Sequence, residues 1–560
     1  MEKQFKYSLS TIIKRLLKFA RPIKSYLIIS TLASIIGNLS HIGLMGFGSL
    51  YLLSLTSYLN ANPDKWLILT IISASLIAIC RYLEGVYSHI GAYGVLASLR
   101  VHLFSIIDRI SPAFLIDHKK GDLMSIAIND IETLEYFFAH TIGPMFTVII
   151  LPLVTLFVAY QIHPYYFMVL LPLFILISIV IPLIALKAGN NIGMNYRKSL
   201  GELKSLVLES VYGIRDIQIY TDGEKRLEKI LNENAIVNKA SHGLTLHQQI
   251  LSSVPNFFIY IARILIIVVS AYLISINQNN PSGIILISFV AAASFSSTFS
   301  LTFVVTHLLE TFAAAKRIFI IEDTIPTVNQ KETTQTCGEI QNIKFNNVSF
   351  TYPNTDVEVL KNLNFEIKKG DKIGIFGPSG IGKSTLFRLL LRFYDPNSGT
   401  ISFNHIDLKD LSFNEIYQRI GMLEQETYLF DDTIFNNIAI AKEGASLDEV
   451  KKAAEKAGIA SLIDTLPEGY NTEMGQMASR LSGGEKQRIG IARIMLACPD
   501  IIIMDEPTSA LDVFHEKELL HTLKTEYSHS TWLIISHRMS TLTCCNRLYK
   551  LENGQLIQIN

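Results

Sequence analysis

The stretch GPSGIGKST, residues 377–385, decides the fold of the C-terminal part of this 560-residue chain. It matches the pattern GxxxxGK[ST], follows the apolar run KIGIF and opens the helix-forming run LFRLLLRF. This context is typical of a P-loop, whose backbone N–H groups close around nucleotide phosphates. We expect Lys383 to neutralise the β- and γ-phosphates and the Ser384 hydroxyl to bind Mg²⁺. The other expected nucleotide contacts are Gly377, Pro378, Ser379, Gly380, Ile381, Gly382 and Thr385.

A second apolar stretch, IIIMDEP at 501–507, ends in two carboxylates. Behind a P-loop this pattern predicts a strand that carries a magnesium ligand and a catalytic base. Asp505 is expected to hold Mg²⁺ through water, and Glu506 to polarise the attacking water. The C-terminal part is therefore predicted to hydrolyse a nucleoside triphosphate.

Between these motifs lies LSGGEKQR, residues 481–488, which resembles the signature of the ABC ATPases, a family found in transporters. The resemblance implies four further roles. Tyr352 would stack on adenine, and Gln425 would sense the γ-phosphate and take part in the Mg²⁺ site. SALD at 509–512 would contact a second ATPase domain, and His537 in IISHR would be the switch histidine. No position in this set departs from the family pattern, so the site is expected to be competent for hydrolysis.

In that family the signature segment acts across a dimer. Ser482, Gly483 and Gly484 would close on ATP held by the P-loop of another subunit. This chain carries one set of these motifs. The resemblance therefore implies a second ABC half-transporter as partner, either identical or different.

The rest of the chain is strongly apolar. Hydrophobic residues make up 49% of the sequence and charged residues 18%, which predicts a membrane protein with a sizeable soluble part. The formal net charge of +0 gives the whole chain no pull toward nucleic acid. Six apolar segments are each long enough to cross a bilayer, which needs about 20 helical residues. They lie at 25–57, 66–88, 137–161, 164–189, 248–276 and 282–311.

The charged residues predict the orientation of these segments. The connections after the first, third and fifth segments are short and hold one Lys and no Arg, whereas 89–136 and 190–247 are long, helix-periodic and rich in both. By the positive-inside rule both termini are cytoplasmic. Residues 1–24 hold seven Lys or Arg against one Glu and are expected to form a basic amphipathic helix on the membrane surface. The five cysteines form no CxxC pair and are expected to be free thiols.

The predicted fold class is a six-helix, all-α transmembrane domain of exporter type followed by an α/β P-loop ABC ATPase domain. The expected boundaries are a surface helix at 1–24, a transmembrane domain at 25–317, a linker at 318–342 and a nucleotide-binding domain at 343–560. This arrangement resembles one half of an ABC exporter in a bacterial-type cytoplasmic membrane. In such exporters the tips of the cytoplasmic loops, here near Lys119 and Lys120 and near 222–225, transmit ATPase closure to the helices.

One subfamily is resembled more specifically. RYLEGVYSHIGAYG at 81–94, its continuation to 115, GDL and DIETLEYFFAHTIGPM at 121–145, and SHIGLMGFGSLYLLS at 40–54 resemble the CydC subunit of CydDC transporters. These are bacterial heterodimers linked to export of cysteine and glutathione. The resemblance implies a CydD-like partner and a small thiol as cargo. In some CydC proteins the histidine of this stretch is implicated in haem binding, which would point to His89 here.

Two features of this stretch keep a second interpretation of His89 open. Where the subfamily usually has Arg after the Glu, this chain has Gly85. His89 also falls near the inner membrane interface, where a histidine can simply hydrogen-bond to a neighbouring helix. Arg81 and Glu84 are three residues apart and are expected to pair on the same helix face.

Three functional hypotheses follow. The first is ATP-driven export of thiols by a CydC-like half, with ATP and Mg²⁺ as cofactors and haem as a further candidate. The second keeps the fold but moves drugs, lipids or peptides, or imports metal-siderophore or haem compounds. The third, a soluble ABC ATPase acting on ribosomes or DNA, is disfavoured by the six apolar segments. Candidate cargo contacts are Asn256, Arg263 and the stretch SFSSTFS at 294–300.

Overall fold

The chain divides into two compact units. The computed structural model describes residues 7–56, 62–117, 120–276, 280–329, 335–353, 355–475, 481–508, 513–527 and 530–559. The first unit comprises Met1–Arg109 and His118–Thr324, and the second comprises Ile110–Asp117 and Ile325–Asn560. The chain thus has a helical unit followed by an α/β unit, the order that the sequence predicts.

The helices from α1 to α12 belong to the first unit, except for α4. They begin with α1 (Leu9–Phe19), α2 (Lys24–Ser54), α3 (Pro63–Ile110), α4 (Ala113–Asp117, part of the second unit), α5 (Lys120–Ser125), α6 (Ile131–His140) and α7 (Ile142–Ile162). They continue with α8 (Pro164–Ile175), α9 (Ile181–Tyr212), α10 (Ile214–Ile219), α11 (Gly223–Ser275) and α12 (Pro281–Glu322). Single π-helical turns at Ile126–Asp130 and Leu176–Val180 join α5 to α6 and α8 to α9.

Five helical segments within the described residues are long and apolar enough to cross a membrane, namely 21–54, 63–110, 121–162, 164–184 and 223–275. In α12 the described apolar stretch is shorter, at 281–295. The long polar connections are helical as predicted. For example, α3 runs unbroken for 48 residues, about 72 Å at 1.5 Å per residue, and so extends well beyond a hydrocarbon layer of about 30 Å.

A cluster of ion pairs, the α1–α12 clamp, joins α1 to the end of α12. Arg15 of α1 places Nη2 2.6 Å from Oε2 of Glu322 and Nη1 2.6 Å from Oδ2 of Asp323. Its guanidinium carbon lies 4.3 Å from the ring centre of Phe319. Hydrogen bonds from Arg15 hold the pKa of Asp323 below its ordinary value. The clamp therefore holds α1 against the C-terminal end of α12, the last helix of the first unit.

The second unit contains two sheets. One is antiparallel in the order β2-β1-β4-β5, from β1 (Asn342–Thr351), β2 (Glu358–Lys368), β4 (Ser398–Phe403) and β5 (Ile406–Asp407). The other has the order β10-β9-β3-β8-β7-β6, from β3 (Lys372–Phe376), β6 (Ile420–Leu423), β7 (Ile501–Asp505), β8 (Thr531–Ile535), β9 (Arg547–Glu552) and β10 (Gln555–Gln558). Its strands are parallel except for β10, so the ends of β3, β7 and β8 meet at one edge.

Besides α4, eight helices accompany these sheets in the described part of the unit: α13 (Lys383–Leu390), α14 (Phe413–Arg419), α15 (Ile434–Ala439), α16 (Leu447–Lys456), α17 (Ala460–Asp464), α18 (Gly483–Ala497), α19 (Val513–Glu526) and α20 (Met539–Leu542). The buried side chains form two clusters. One packs α13 with both sheets, and the other packs α15, α16 and α18 against β7 and β8.

Two boundaries differ from the expected ones. Residues 318–322 continue α12, because Ile318, Phe319 and Ile321 are buried and give this stretch an apolar face. Residues 110–117 group with the second unit, where Ala113 joins the core cluster. The polar turn expected near 222–225 is present as Thr221–Asp222 before α11. Residues 118–119 lie outside the described residues, and nothing is described of the Lys120 side chain.

Candidate nucleotide site

The P-loop connects β3 to α13 and needs glycine at three points. Gly377, Gly380 and Gly382 have φ values of 154°, 78° and 111°, a region that other residues rarely adopt. A Cβ atom on Gly382 would lie 2.4 Å from Cγ1 of Val359. The loop can therefore fold tightly enough to direct its N–H groups at a phosphate.

Lys383 is buried at the base of this loop, with 6% of its surface exposed. Its Nζ donates hydrogen bonds to the carbonyl oxygens of Gly377 at 2.8 Å and Pro378 at 2.9 Å. Burial lowers the pKa of Lys383, while the nearby charges of Glu506 and Asp505 oppose that shift. The cation is thus already held against the loop that would receive the phosphates.

Two of the three residues predicted for the magnesium site, Ser384 and Asp505, come from separate motifs and are in contact. The Ser384 hydroxyl donates a hydrogen bond to Oδ2 of Asp505 at 2.8 Å. A hydroxyl and a carboxylate at this spacing are the oxygen donors that Mg²⁺ prefers. The residues present therefore fit the cation that the motif implies.

Glu506, the predicted base, follows β7 in a left-handed conformation with a φ of 50°. Its N–H donates to the carbonyl oxygen of Ile535 at 2.8 Å, which ties it to the end of β8. Its Oε1 lies 2.9 Å from Nε2 of His537, and the same nitrogen is 3.5 Å from Nζ of Lys383. The predicted base, switch histidine and P-loop lysine therefore share one site.

Tyr352 and Gln425 come from neighbouring segments. The Tyr352 hydroxyl lies 2.9 Å from the Thr385 hydroxyl and accepts a hydrogen bond from Arg388 at 2.9 Å, so it adjoins the P-loop helix. Gln425 is exposed in the loop after β6. Its main-chain carbonyl oxygen accepts a hydrogen bond from the side-chain amide of Gln487 at 3.4 Å. The roles of both residues in nucleotide and Mg²⁺ binding stay predictions.

Ser482 begins α18 in a capping box. Its hydroxyl accepts a hydrogen bond from the N–H of Glu485 at 3.3 Å, and Oε2 of Glu485 accepts from the N–H of Ser482 at 2.7 Å. Ser482 and Gly483 are exposed and Gly484 is half-buried. The signature thus presents a helix N-terminus, which attracts anions. The predicted dimer contact at 509–512 lies outside the described residues.

Sequence reasoning missed a buried carboxylate beside this site. Glu516 of α19 is only 4% exposed. It accepts hydrogen bonds from Thr541 at 2.7 Å and Ser540 at 2.9 Å, and Arg538 lies 3.4 Å away. Burial raises the pKa of Glu516, but these hydrogen bonds and the charge of Arg538 outweigh it and hold the pKa below its ordinary value.

Glu516 links the segment after the switch histidine to the helix that follows the 509–512 stretch. The Thr541 hydroxyl also lies 2.7 Å from that of Thr508, just after the catalytic strand. In the sequence a single Glu within a helix is typical of a solvated face. The sequence feature related to this role is the pair of hydroxyl residues Ser540 and Thr541. It could not be linked to Glu516 from the sequence, because only the fold brings these residues together.

In the membrane unit the structure places His89 in a contact between helices. Its Nδ1 lies 3.0 Å from Oε1 of Glu135 on α6, and its ring lies 5.2 Å from that of His140. The predicted Arg81–Glu84 pair is confirmed at 2.9 Å. No group of three or more His, Cys, Asp or Glu side chains is placed to hold a metal ion in the part of the chain that the structure describes.

The candidate cargo residues do not converge on one described cavity. Asn256 and Arg263 are exposed on α11. Ser294 of α12 is buried, and the side chains of 296–300 lie outside the described residues. These roles stay predictions.

Comparisons with known proteins agree with this architecture. The family model described as ABC transporter matches residues 360–509, and the one described as ABC transporter transmembrane region matches 27–299. A probable ABC transporter ATP-binding/permease protein of Haemophilus influenzae is 31% identical over 97% of this chain and 99% of its own length.

More distant relatives carry different names. An ATP-dependent lipid A-core flippase of Syntrophus aciditrophicus is 29% identical over 98% of this chain and 91% of its own. The glutathione/L-cysteine transport protein CydC of Escherichia coli is 26% identical over 85% and 83%. The solved structure of a bacterial Atm1-family ABC exporter with ATP bound has a TM-score of 0.82 at 22% identity, covering 95% of this chain and 94% of that one.

Proposed function

We propose that this chain, which belongs to the ABC transporter family, is the CydC-like half of a heterodimer that exports small thiols such as cysteine or glutathione. Membership of the family and ATP-hydrolysing transport of exporter type are shown by the relatives and by the two matching family models. As a half-transporter, the chain works with a second half. The thiol cargo and the CydD-like partner are the proposed part.

One observation carries the ATP-driven part of this function. His537 lies within hydrogen-bonding distance of both Lys383 and Glu506 at the end of the parallel strands, and the Ser384–Asp505 contact involves the residues next to Lys383 and Glu506. We infer that Glu506 polarises the attacking water and that His537 holds Glu506 in place. Mg²⁺ bound at Ser384 and Asp505 would neutralise phosphate charge during transfer.

The thiol cargo is supported by the motifs at 81–94 and 121–145 and by two CydC relatives, at 26% and 27% identity. Relatives named as a lipid A-core flippase and a heavy metal exporter stand beside them. The second candidate is therefore export of a lipid or of a metal compound by the same fold.

A proteoliposome assay separates these cargoes. The chain is purified with the partner that co-elutes from its native host, and ATP hydrolysis is measured with reduced glutathione, cysteine or a lipid A-core compound added. We expect stimulation by the thiols. Stimulation by the lipid alone would reject the thiol cargo, and a chain that co-elutes only with copies of itself would reject the heterodimer.

We also propose a bacterial-type cytoplasmic membrane location with both termini in the cytoplasm. The supporting observation is the concentration of Lys and Arg in the two long connections. A green fluorescent protein fused to the C-terminus is expected to fluoresce in cells, and a periplasmic alkaline phosphatase fused there is expected to be inactive. The opposite pair of results would reverse the orientation.

Haem binding at His89 is a separate proposal that rests on one contact. Glu135 engages Nδ1 and would orient the imidazole so that Nε2 could bind iron, as carboxylates do for metal-bound histidines. When bound, haem would supply redox chemistry. A Soret absorbance band lost in His89→Ala would support this role. Its absence from wild-type protein reconstituted with haem would leave His89 as an interhelical hydrogen-bonding residue.

A further inference from the structure

Arg263 lies deep in the membrane-spanning part of α11. It is 15 residues from one end of the apolar segment 248–276 and 13 from the other, or about 20 Å from each at 1.5 Å per residue. No other Lys, Arg, Asp or Glu occurs in that segment. A positive charge is therefore placed close to the middle of the bilayer.

This charge has no counter-ion within the chain as described. The guanidinium carbon lies 5.5 Å from the ring centre of Tyr260, one turn away. Among the described residues no carboxylate comes within ion-pairing distance of Arg263, although its side chain is exposed. Arginine stays protonated in proteins, and a charge facing lipid at this depth is strongly disfavoured. Arg263 must therefore face water.

A polar stripe leads to Arg263 along the same helix face. Gln249, Ser252 and Asn256 precede it at spacings of three, four and seven residues, which keep them on one face of α11. Gln249 and Asn256 are exposed and Ser252 is half-buried. The stripe runs from Arg263 toward the charged end of the helix, the end expected to lie in the cytoplasm.

Beyond Arg263 the exposed residues of this face are apolar, as at Ile267 one turn farther on. Ser270 lies two turns farther on and is buried, with its hydroxyl 2.7 Å from that of Tyr166 on α8. Tyr166 is itself fully buried. The water-facing stripe therefore ends a short distance past the arginine, so that Arg263 is the last polar group available from the charged end.

We propose that Arg263 binds the anionic group of the transported compound, a carboxylate or a phosphate, at the membrane-embedded end of this stripe. A guanidinium offers paired N–H donors that match such groups, and an aromatic neighbour such as Tyr260 restricts its orientation. Asn256 provides an amide for a second polar group of the ligand. This inference rests on the proposed transport function and names the chemical class of its cargo.

The first experiment does not depend on the identity of the cargo. Tyr260→Cys is made in a background in which Cys498, the exposed cysteine of the part of the chain that the structure describes, is replaced by Ser. The assembled transporter is then reacted with sulfonate-bearing and trimethylammonium-bearing methanethiosulfonates. We expect both reagents to react, and Arg263→Gln to lower the ratio of the anionic to the cationic rate about tenfold, since a charge one turn away attracts one reagent and repels the other. Lys239→Gln, an equal charge change in the charged part of α11, is the control.

Two results of that experiment would overturn the proposal. If neither reagent reacts, the face is not open to water. If the ratio is unchanged by Arg263→Gln, the guanidinium is neutralised by another group, and the partner subunit would be its source.

The second experiment identifies the cargo in proteoliposomes. We expect Arg263→Gln to raise the half-stimulating concentration of reduced glutathione about tenfold, with Arg263→Lys intermediate, since one charge-assisted contact is lost. If wild type responds to phosphatidylglycerol instead, and Arg263→Gln abolishes that response, the anion is a lipid phosphate and the thiol cargo is wrong. A glutathione response that Arg263→Gln leaves unchanged would overturn the site while the proposed function stands.

Discussion

The nucleotide site and Arg263 of the membrane unit differ in whether this chain supplies partners for their charged side chains. Lys383 and Glu506 have partners within their own unit, supplied by loop carbonyls and by His537. Arg263 has only an aromatic neighbour among the described residues. On the proposed function, one chain positions the catalytic groups, whereas a partner and a cargo would complete the cargo site at Arg263.

The largest effect is expected from the catalytic base. Glu506→Gln should lower ATP hydrolysis by about 100-fold or more, because general-base catalysis is lost, while ATP binding persists. Hydrolysis and fluorescent-ATP binding are measured with Glu468→Gln, an exposed carboxylate, as control. Near-normal turnover would show that the partner's site dominates, and would break the view that this chain positions its own catalytic groups.

The next largest effect is expected from the P-loop cation. Lys383→Ala should weaken ATP binding by about 10- to 100-fold, because hydrogen bonds from a charged group to phosphate are lost. Titration of fluorescent ATP measures this, with exposed Lys451→Ala as the matched control. An unchanged dissociation constant would mean that the loop amides alone hold the phosphates.

Glu516 tests whether the positioning network extends beyond the motifs. Glu516→Gln should lower the maximal rate of hydrolysis about tenfold, equivalent to a barrier increase of about 1.4 kcal/mol, while the KM for ATP changes less than twofold. The reason is that the switch segment loses its charged anchor while the P-loop is untouched. If the role of Glu516 is purely structural, Glu516→Gln would lower the melting temperature and would affect KM and the maximal rate together. Glu526→Gln serves as the control variant.

The smallest effect is expected from the α1–α12 clamp in the membrane unit. Arg15→Ala should lower the melting temperature of the detergent-solubilised transporter by about 2–4 °C, as partly exposed ion pairs contribute little. Lys14→Ala, an exposed neighbour, is the control. If Arg15→Ala prevents assembly, the membrane unit also depends on ion pairs within the chain. The two units would then differ less in how their charged side chains are stabilised.

The same contrast explains what the sequence could predict. The P-loop residues and Asp505 follow directly from motif spacing, because the chain positions them at the ends of β3 and β7, two strands on either side of β8 in the parallel sheet. The role of Glu516 could not be predicted, since its partners lie 24 and 25 residues away and meet it only after folding. Similarly, α12 continues to Glu322 because residues 318–322 pack an apolar face, which a mixed-polarity stretch did not indicate.

The membrane helices were predictable as segments but not as a site. Hydropathy locates each span, and three-residue spacing predicts the Arg81–Glu84 pair. Which helix faces meet, as where His89 contacts Glu135, depends on packing between segments far apart in the chain. Spacing within one helix carries no information about that contact.

The capping box at Ser482 has a consequence for genetics. Aspartate is also a favoured N-cap, so Ser482→Asp would keep α18 folded. It would add a negative charge at the position where the signature is expected to meet the γ-phosphate of the partner's ATP. We expect the Ser482→Asp subunit to assemble normally and to form complexes that do not hydrolyse ATP. The variant should therefore be dominant-negative when it is co-expressed with the wild-type chain.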